Sequence, residues 1–253
     1  MKRIISVSNR KGGSGKTTTA VNLSAALACK GKKVLIVDAD PQAHSTLSLG
    51  ITRSKTNGDL SSVLMGEKKL EEVMVKTDLA TLQLIPATRR LMEYERNNSR
   101  IKDARMRLAE CFGDVNGKFD YTFFDTPPTM SLMTVSSLIA SREVYIPMQA
   151  HFLALEGLAE MVTLISRIQK HYNPELRLMG IIPTFYRERT RLSQAIMEEI
   201  KRNLGEQLIL HPVRVNVALA EAPSHGKTIF QYKLKSRGAS DYLSIANQIE
   251  ELE

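Results

Sequence analysis

Tryptophan is absent from this 253-residue chain, and cysteine, aromatic residues and long apolar runs are scarce. The two cysteines, Cys29 and Cys111, form no metal-binding or redox spacing, so a cysteine-based zinc site or disulfide framework is excluded. No apolar run approaches the roughly 18–20 residues that a membrane-spanning helix needs. The apolar stretch within "MKRIISVSNR" is also too short for a signal peptide. We therefore expect a cytoplasmic protein whose two thiols are buried or inert.

Acidic residues are fewer than basic ones, with 27 Asp and Glu against 35 Lys and Arg, which gives a formal net charge of +8. Residues 1–58 hold much of the excess, since they contain ten Lys and Arg but two Asp and Glu. A pI near 9.5 fits either a polyanionic partner or a solvated basic surface. The length and the ordinary globular composition predict a single domain over residues 1–253.

Short apolar segments alternate with helical patterns along the chain. This alternation predicts an α/β fold with a doubly wound, mostly parallel sheet and helices on both faces. Ligands of such sheets bind at the carboxyl ends of the strands. The predicted strands are 3–8, 33–40, 82–87, 121–128, 143–148 and 177–184, and the clearest predicted helices are 17–31, 131–140, 151–170, 190–203 and 236–252.

A glycine-rich loop follows the first predicted strand in "NRKGGSGKTTT", residues 9–19. Strand, glycine-rich loop and helix in this order are typical of a phosphate-binding loop. Glycines let backbone N–H groups converge on a phosphate, and the helix adds its positive end. Lys16 would contact the β- and γ-phosphates, and the Thr17 hydroxyl would bind Mg²⁺. The ordinary loop pattern needs a glycine at position 10, where this chain has Arg10. The predicted nucleotide-binding residues of the loop are Lys11, Gly12, Gly13, Ser14, Gly15, Lys16, Thr17 and Thr18.

Carboxylates follow two of the predicted strands, in "VLIVDADPQ" and "YTFFDTPP". A carboxylate at the end of a strand beside a phosphate-binding loop is well placed to hold Mg²⁺. We expect Asp40 and Asp125 to serve the metal, and Asp40 also to orient or activate the attacking water. For Asp38 we expect a structural role. The plain alternative is that these residues cap loops, as aspartates commonly do after strands.

Four segments together resemble the ParA/Soj ATPases of the deviant Walker A group, which also contains MinD. They are "KGGSGKTT", "VDADPQ", "FFDTPP" and "EAPSHGKTIFQYKLKSRGASDYLSIANQI". The resemblance extends from about residue 2 to residue 250. It fits the small chromosomal type, because no helix-turn-helix segment precedes the loop.

This resemblance implies a P-loop ATPase that forms a homodimer around two ATP molecules, with Mg²⁺, and partitions a chromosome, plasmid or other cargo. Hydrolysis would be slow until a ParB-like or adaptor protein stimulates it. Lys11 would reach the ATP of the other subunit and act in catalysis with Lys16 and Asp40; the alternative is an exposed loop lysine. The base would lie near Thr184, and His225 is expected to pack or cap a loop rather than act as a base.

The resemblance also implies non-specific DNA binding, and hence association with the nucleoid. Such binding needs charge and reach more than fixed geometry. The chain departs from the family here, because "HPVRVNVALAEAP" has Val215 and Ala218 where relatives usually have arginines, and "YKLKSRGA" stands for "YDPRSRGA". Either the DNA surface is redrawn or the cargo system differs. The candidate DNA-binding residues are Arg187, Arg189, Arg191, Arg214, Lys235 and Arg237.

Other functions compete with this interpretation. A ParA-type ATPase that positions a non-DNA cargo, such as a carboxysome or a chemoreceptor cluster, is one alternative. A metabolic P-loop ligase or synthetase is a weaker one. Membrane binding is not expected, because the chain ends in the acidic "IANQIEELE" rather than in a basic amphipathic helix. The sequence does not identify the cargo.

Overall fold

The computed structural model describes residues 2–113, 117–151, 153–188 and 190–252, with Arg53 and Leu153 described by their backbone alone. Its strands all belong to one seven-stranded sheet. In chain order they are β1 (Arg3–Val7), β2 (Val34–Asp38), β3 (Val75–Lys76), β4 (Leu82–Ile85), β5 (Tyr121–Asp125), β6 (Glu143–Gln149) and β7 (Arg177–Thr184).

Helices connect the strands and cover the sheet. Short 3₁₀ turns occur at Arg53–Lys55, Asp103–Arg105, Glu206–Leu208 and Ala222–His225. The α-helices are α1 (Lys16–Cys29), α2 (His44–Ser48), α3 (Leu60–Leu64), α4 (Leu70–Val73), α5 (Arg90–Asn98), α6 (Arg107–Phe112), α7 (Leu132–Ala140), α8 (Leu153–His171), α9 (Arg191–Leu204), α10 (Val217–Glu221), α11 (Ile229–Tyr232) and α12 (Arg237–Glu251).

The strand order across the sheet is β3-β4-β2-β5-β1-β6-β7. Every neighbouring pair is parallel except β3 and β4, which are antiparallel. The predicted mostly parallel sheet is therefore confirmed. In the central part, Val7 pairs with Asp125, and Asp125 pairs with Asp38. This register brings the ends of β1, β2 and β5 to one edge.

Alternate residues of β2 pack on opposite faces of the sheet, which explains why the strand is apolar throughout. Val34 and Ile36 join the cluster formed with α1 and α10–α12. Leu35 and Val37 join the cluster formed with α3–α7, and α8 and α9 cover the β6 and β7 part of that face. The doubly wound architecture is confirmed, since both faces of the sheet are covered.

Two predicted strands are longer than the observed ones, and some short elements were not predicted. Predicted strand 82–87 ends at Ile85, because Pro86 lacks the N–H that continues a ladder. Predicted strand 121–128 ends at Asp125, and Pro127 and Pro128 lie beyond its end. Prediction missed β3, which is two residues long, and α5, in which Leu91 and Tyr94 are the buried residues. Both give too little apolar periodicity to be recognised.

Two minor expectations also have outcomes. Cys29 is exposed and Cys111 half-buried, so of the two alternatives for the thiols, burial is excluded for Cys29. His225 stacks on Tyr232 with ring centroids 5.0 Å apart, which confirms that it packs.

Among the described helices, none has the length and apolarity that crossing a bilayer requires.

Candidate functional site

The loop between β1 and α1 is fixed by hydrogen bonds to the end of β6. The Asn9 side-chain amide donates to the carbonyl of Pro147 at 2.7 Å, and its oxygen accepts from the Lys11 backbone N–H at 3.0 Å. The Gln149 side-chain amide donates to the carbonyl of Gly13 at 2.7 Å. These bonds hold the loop backbone in place, so its N–H groups do not have to be ordered by a ligand.

Thr184, at the end of β7, supports the loop from another side. Its hydroxyl donates to the carbonyl of Ser14 at 2.8 Å. Gly15 has φ +89°, and a Cβ there would lie 3.3 Å from Cγ2 of Thr184. A glycine is therefore required at position 15 both by the left-handed backbone and by this close approach. Thr184 thus lies against the loop, as well as lining the neighbouring cavity described below.

Lys16 is the first residue of α1, and its ammonium group lies under the loop. Its Nζ donates to the carbonyl of Lys11 at 3.1 Å, and the side chain is buried. Burial lowers the pKa of Lys16, while the nearby charges of Asp125 and Asp40 act in the opposite direction. A buried cation without a paired anion is unfavourable, and an anionic phosphate at the loop would relieve this cost.

Lys11 contacts its own chain. Its ammonium group is hydrogen-bonded to Nε2 of His151, which follows β6. Because an ammonium group can only donate, Nε2 of His151 is the acceptor. Burial, and then the charge of Lys11, lower the pKa of His151, which favours the neutral ring. The predicted contact of Lys11 with a second subunit remains a prediction.

Asp38 and Asp125 are adjacent at the ends of β2 and β5. Oδ2 of Asp38 accepts hydrogen bonds from the backbone N–H and the hydroxyl of Thr46, at 2.8 and 2.7 Å, and Oδ1 accepts from the Asp40 N–H at 3.2 Å. Burial, and then the charge of Asp125, raise the pKa of Asp38. All of its contacts are internal, which agrees with the structural role predicted for it.

Asp125 has a different environment. Its Oδ2 accepts a hydrogen bond from the Ser45 hydroxyl at 2.8 Å, whereas the buried Oδ1 has no hydrogen-bond partner among the residues that the structure describes. Burial raises the pKa of Asp125, and hydroxyl groups of Ser45 and Thr17 act against this. A buried, unpartnered carboxylate oxygen is costly, and Mg²⁺ or a water bound to it would satisfy it.

The side chains near Asp125 fit a magnesium ion that is carried in with a nucleotide. Thr17 and Asp125 carry hard oxygen atoms that could bind it, and the buried Asp40 lies nearby, with one oxygen accepting from the Gln42 N–H at 2.9 Å. No group of three His, Cys, Asp or Glu in the described part of the chain could hold a metal unaided.

A cavity of about 120 Å³ adjoins the loop. It lies between the loop and the segment that follows Pro212, where the base of a nucleotide was expected. The surface of its lining is mostly apolar, as suits a planar base. The lining includes Gly15, Thr18, Thr184, Phe185, Val213, Val215, Leu219 and Tyr242.

The predicted DNA-binding residues come from three segments that the structure brings together. Tyr186 forms an isolated parallel bridge with Arg214, and a Cβ on Gly238 would lie 3.2 Å from the side chain of Asn216. Arg214 is engaged internally, since its Nε donates to Asp241 at 3.1 Å. Arg189 lies outside the described residues. The exposed members of the set are Arg187, Arg191, Lys235 and Arg237.

Comparison with known proteins decides the family. A family model described as an AAA domain matches residues 2–178. The chromosome partitioning protein ParA of Caulobacter vibrioides is 37% identical over 249 residues, covering 98% of this chain and 93% of that protein. The sporulation initiation inhibitor protein Soj of Bacillus subtilis is 38% identical over 249 residues, which cover 98% of this chain and 98% of that protein. The chain belongs to the ParA/Soj family. The resemblance predicted from the four motifs is thereby confirmed, and the chain is a P-loop ATPase of the partitioning type.

Solved structures agree with the family's fold. Cobyrinic acid a,c-diamide synthase from Mycobacterium smegmatis, solved with ADP and magnesium, has a TM-score of 0.85 at 30% identity and covers 99% of this chain and 95% of its own. The cell division ATPase MinD of Pyrococcus furiosus has a TM-score of 0.84 at 25% identity over all of both chains. Nucleotide and magnesium binding are therefore properties of this fold family.

Sequence reasoning missed the residues that support the site from a distance. Ser45, Gln149 and His151 contact Asp125, the loop carbonyl and Lys11, respectively. Each lies outside the local motifs, and only the sheet topology brings it to the site. The one available signal was that Gln149 ends a strand, and His151 follows it, at the edge where ligands bind.

Proposed function

We propose that this protein is an ATP-dependent molecular switch that forms a dimer with two ATP molecules enclosed between its subunits. The dimer binds DNA without sequence preference and moves or positions a chromosomal or plasmid cargo. A ParB-like or adaptor protein bound to the cargo stimulates hydrolysis, which is slow without it, and hydrolysis releases the dimer from DNA. The protein acts in the cytoplasm on the nucleoid, as a single domain over residues 1–253.

The observation that carries this proposal is the pair of lysines on one loop. Lys16 is buried beneath the loop, in reach of a phosphate held by the N–H groups of residues 12–18. Lys11 is half-buried and contacts His151. One phosphate chain does not require two lysines from the same short loop. Two lysines are needed if the loop contributes one cation to its own ATP site and one to the ATP site of the partner subunit. Homologous chains are named ParA and Soj, which supports the same function.

Each residue has a distinct role in the proposed reaction. Lys16 and the loop N–H groups neutralise the phosphates, and Thr17, Asp125 and nearby Asp40 hold Mg²⁺. The metal, when bound with ATP, withdraws charge from the phosphate oxygens. Asp40 orients the attacking water. Lys11 of the second subunit neutralises charge that develops on the transferred group, an effect on the order of 10³–10⁵ in rate where such a cation has been measured.

The predicted DNA-binding residues support the second half of the proposal. Arg187, Lys235 and Arg237 are exposed. The bridge between Tyr186 and Arg214 and the close approach of Gly238 to Asn216 link the segments that carry them. Two such surfaces on one dimer would contact phosphates of the same duplex. Binding that depends on phosphate contacts falls steeply as salt rises, because condensed counterions return to the DNA.

The test is DNA binding by the full chain with Mg-ATP, with Mg-ADP and without nucleotide, at several salt concentrations. We expect binding with ATP alone, independent of sequence and lost at high salt. The double variant Arg187→Ala/Arg237→Ala should bind more weakly and with a shallower salt dependence. Exchange of two exposed residues elsewhere, Lys118→Ala/Arg202→Ala, is the control. Binding that is equal in all nucleotide states would refute a switch.

A ligase or synthetase is the second candidate, and one observation favours it. The diamide synthase shares 30% identity and nearly the whole length with this chain. A ligase would release phosphate only when its acid and amine substrates are present. The proposed switch hydrolyses ATP without any other substrate, and does so faster when DNA and the partner protein are present. Measuring phosphate release with DNA separates the two. A non-DNA cargo would leave the DNA result unchanged and alter only which adaptor stimulates hydrolysis.

A further inference from the structure

A groove of about 600 Å³ lies between α5, α7 and α8, on the face of the sheet opposite α1 and α12. Its floor is apolar and consists of Leu132 and Val135 from α7 and of Leu164 and Ile168 from α8. Met130 stands at the edge and is 45% exposed. The groove exposes apolar surface at Met130 and at the half-buried Val135, whereas Leu132, Leu164 and Ile168 beneath them are already buried.

The rim of this groove is basic. It holds Arg96, Arg105, Arg167 and His171. Arg96 and Arg167 are exposed and form no ion pair with any residue that the structure describes. Two arginines without acidic partners, both above apolar residues, leave the rim with uncompensated positive charge.

Glu95, the acid in the groove lining, offsets one of these positive charges, and the rim keeps a net positive charge. Glu95 uses Oε1 to accept a hydrogen bond from the Met133 N–H at 2.9 Å, so it caps the start of α7. Arg105 is fixed, since its guanidinium donates to the Tyr172 hydroxyl at 2.6 Å. An anionic group entering the groove would therefore meet one preoriented guanidinium and two that are free to turn toward it.

We propose that this groove is a docking site for an acidic amphipathic segment of a partner protein. Leucine-like side chains of the segment would cover the apolar floor, and its carboxylates would pair with Arg96 and Arg167. Complementary charge of this kind fixes orientation and speeds association. Apolar contacts with Met130 and Val135 add to the affinity, because the exposed area they cover is taken out of water.

The apolar floor favours a protein over a nucleic acid. A duplex presents phosphates and sugars, which have no apolar group to cover Met130 and Val135. The residues proposed for DNA binding also lie elsewhere, after β7 and at the start of α12. A docked segment would touch Met130 and Ser131, five and six residues after Asp125, so it would lie against the loop that leaves the nucleotide site.

The experiment uses the full chain and a fluorescent synthetic peptide of sixteen residues, with leucines on one helical face and glutamates on the other. A second peptide has lysines in place of the glutamates. Binding is followed by anisotropy, and the contacted surface by hydrogen–deuterium exchange. We expect saturable binding of the acidic peptide alone, with protection in α5, α7 and α8 and weaker binding at high salt.

Charge reversal tests the rim directly. Arg96→Glu/Arg167→Glu should weaken binding of the acidic peptide about tenfold or more, as the loss of two complementary pairs predicts. Met130→Asp tests the apolar edge and should weaken binding too. Lys118→Glu/Arg202→Glu makes the same change in net charge at exposed sites elsewhere, and it should bind as the wild type does.

Four results would overturn the proposal. They are the absence of saturable binding, equal binding of the basic peptide, unchanged affinity after reversal at Arg96 and Arg167, and protection in other elements. Competition by a short DNA duplex for the same groove would assign it to nucleic acid instead. A change in self-association of the reversed variant, seen by sedimentation, would assign it to a second copy of this chain. Either of these also overturns the proposal.

Discussion

The ammonium group of Lys16 donates a hydrogen bond to the backbone carbonyl of Lys11, 3.1 Å away. The two lysines of the loop are therefore joined through the backbone while their charged groups lie in different surroundings. Lys16 is buried among Asp40 and Asp125, and Lys11 extends to His151. From this separation we expect the two lysines to have separable functions, which substitution of each can distinguish.

Lys16→Ala should weaken Mg-ATP binding about 10- to 100-fold, which corresponds to losing about 1.5–3 kcal/mol for a hydrogen bond to a charged group. The substitution removes the buried cation that a phosphate would pair with. Titration calorimetry of the full chain measures the effect. Lys227→Ala, an exposed lysine on another segment, should bind as the wild type does. Unchanged affinity in the Lys16 variant would place the phosphates elsewhere.

Gly15→Ala should destabilise the fold by about 1–2 kcal/mol, the usual cost of a left-handed backbone for a residue with a Cβ. The added methyl group would also press on Thr184, 3.3 Å away. Urea unfolding gives the free energy. Gly12→Ala is the matched control, because a Cβ there meets nothing within 4 Å, and its stability should be near that of the wild type. Equal stability of both variants would refute this geometry.

Removal of magnesium should weaken nucleotide binding by the wild type and have a much smaller effect on Asp125→Asn. The unpartnered Oδ1 of Asp125 is the oxygen that we expect to serve the metal or its water. Affinity is compared with Mg²⁺ and with a chelator in excess. Asp103→Asn, at an exposed residue, should keep the full magnesium effect. If Asp125→Asn keeps it too, the metal lies away from this carboxylate.

The buried Asp241 gives a prediction for pH. Burial by itself would raise its pKa, but hydrogen bonds from Arg214 and His211 outweigh this and hold the pKa below its ordinary value. A carboxyl group that is more acidic when folded stabilises the fold above its unfolded pKa of about 3.9. That contribution is lost as the pH falls through the folded pKa.

Asp241→Asn should therefore lower the free energy of unfolding at neutral pH by about 1–3 kcal/mol, because it leaves Arg214 without its anion. The difference from wild type should shrink as the pH falls below about 4. Urea unfolding at both pH values measures it, with Glu251→Gln on the same helix as the control. A difference that does not change with pH would mean that the charge of Asp241 adds no stability.

The sequence predicted the parts of the site that are contiguous in the chain. Strand, loop and helix over residues 3–29 follow from local periodicity and glycines, and the carboxylates of Asp38 and Asp125 follow from their positions at strand ends. The contacts of Ser45, Gln149 and His151 could not be predicted, because they depend on strand order and on side-chain rotamers. The groove beside α5 could not be predicted either, because α5 itself has almost no apolar pattern.

The account depends most on Lys11 acting across a dimer, and a mixing experiment tests this directly. Lys11→Ala and Asp40→Ala should each be inactive alone. In a mixed dimer, the Lys11→Ala subunit retains its own Asp40 and receives Lys11 from its partner, so one complete site forms. We predict that the mixture hydrolyses ATP faster than the sum of the separate variants, while Arg10→Ala, the neighbouring substitution, is active alone. A mixture no more active than its parts, with mixed dimers shown by sedimentation, would contradict the account.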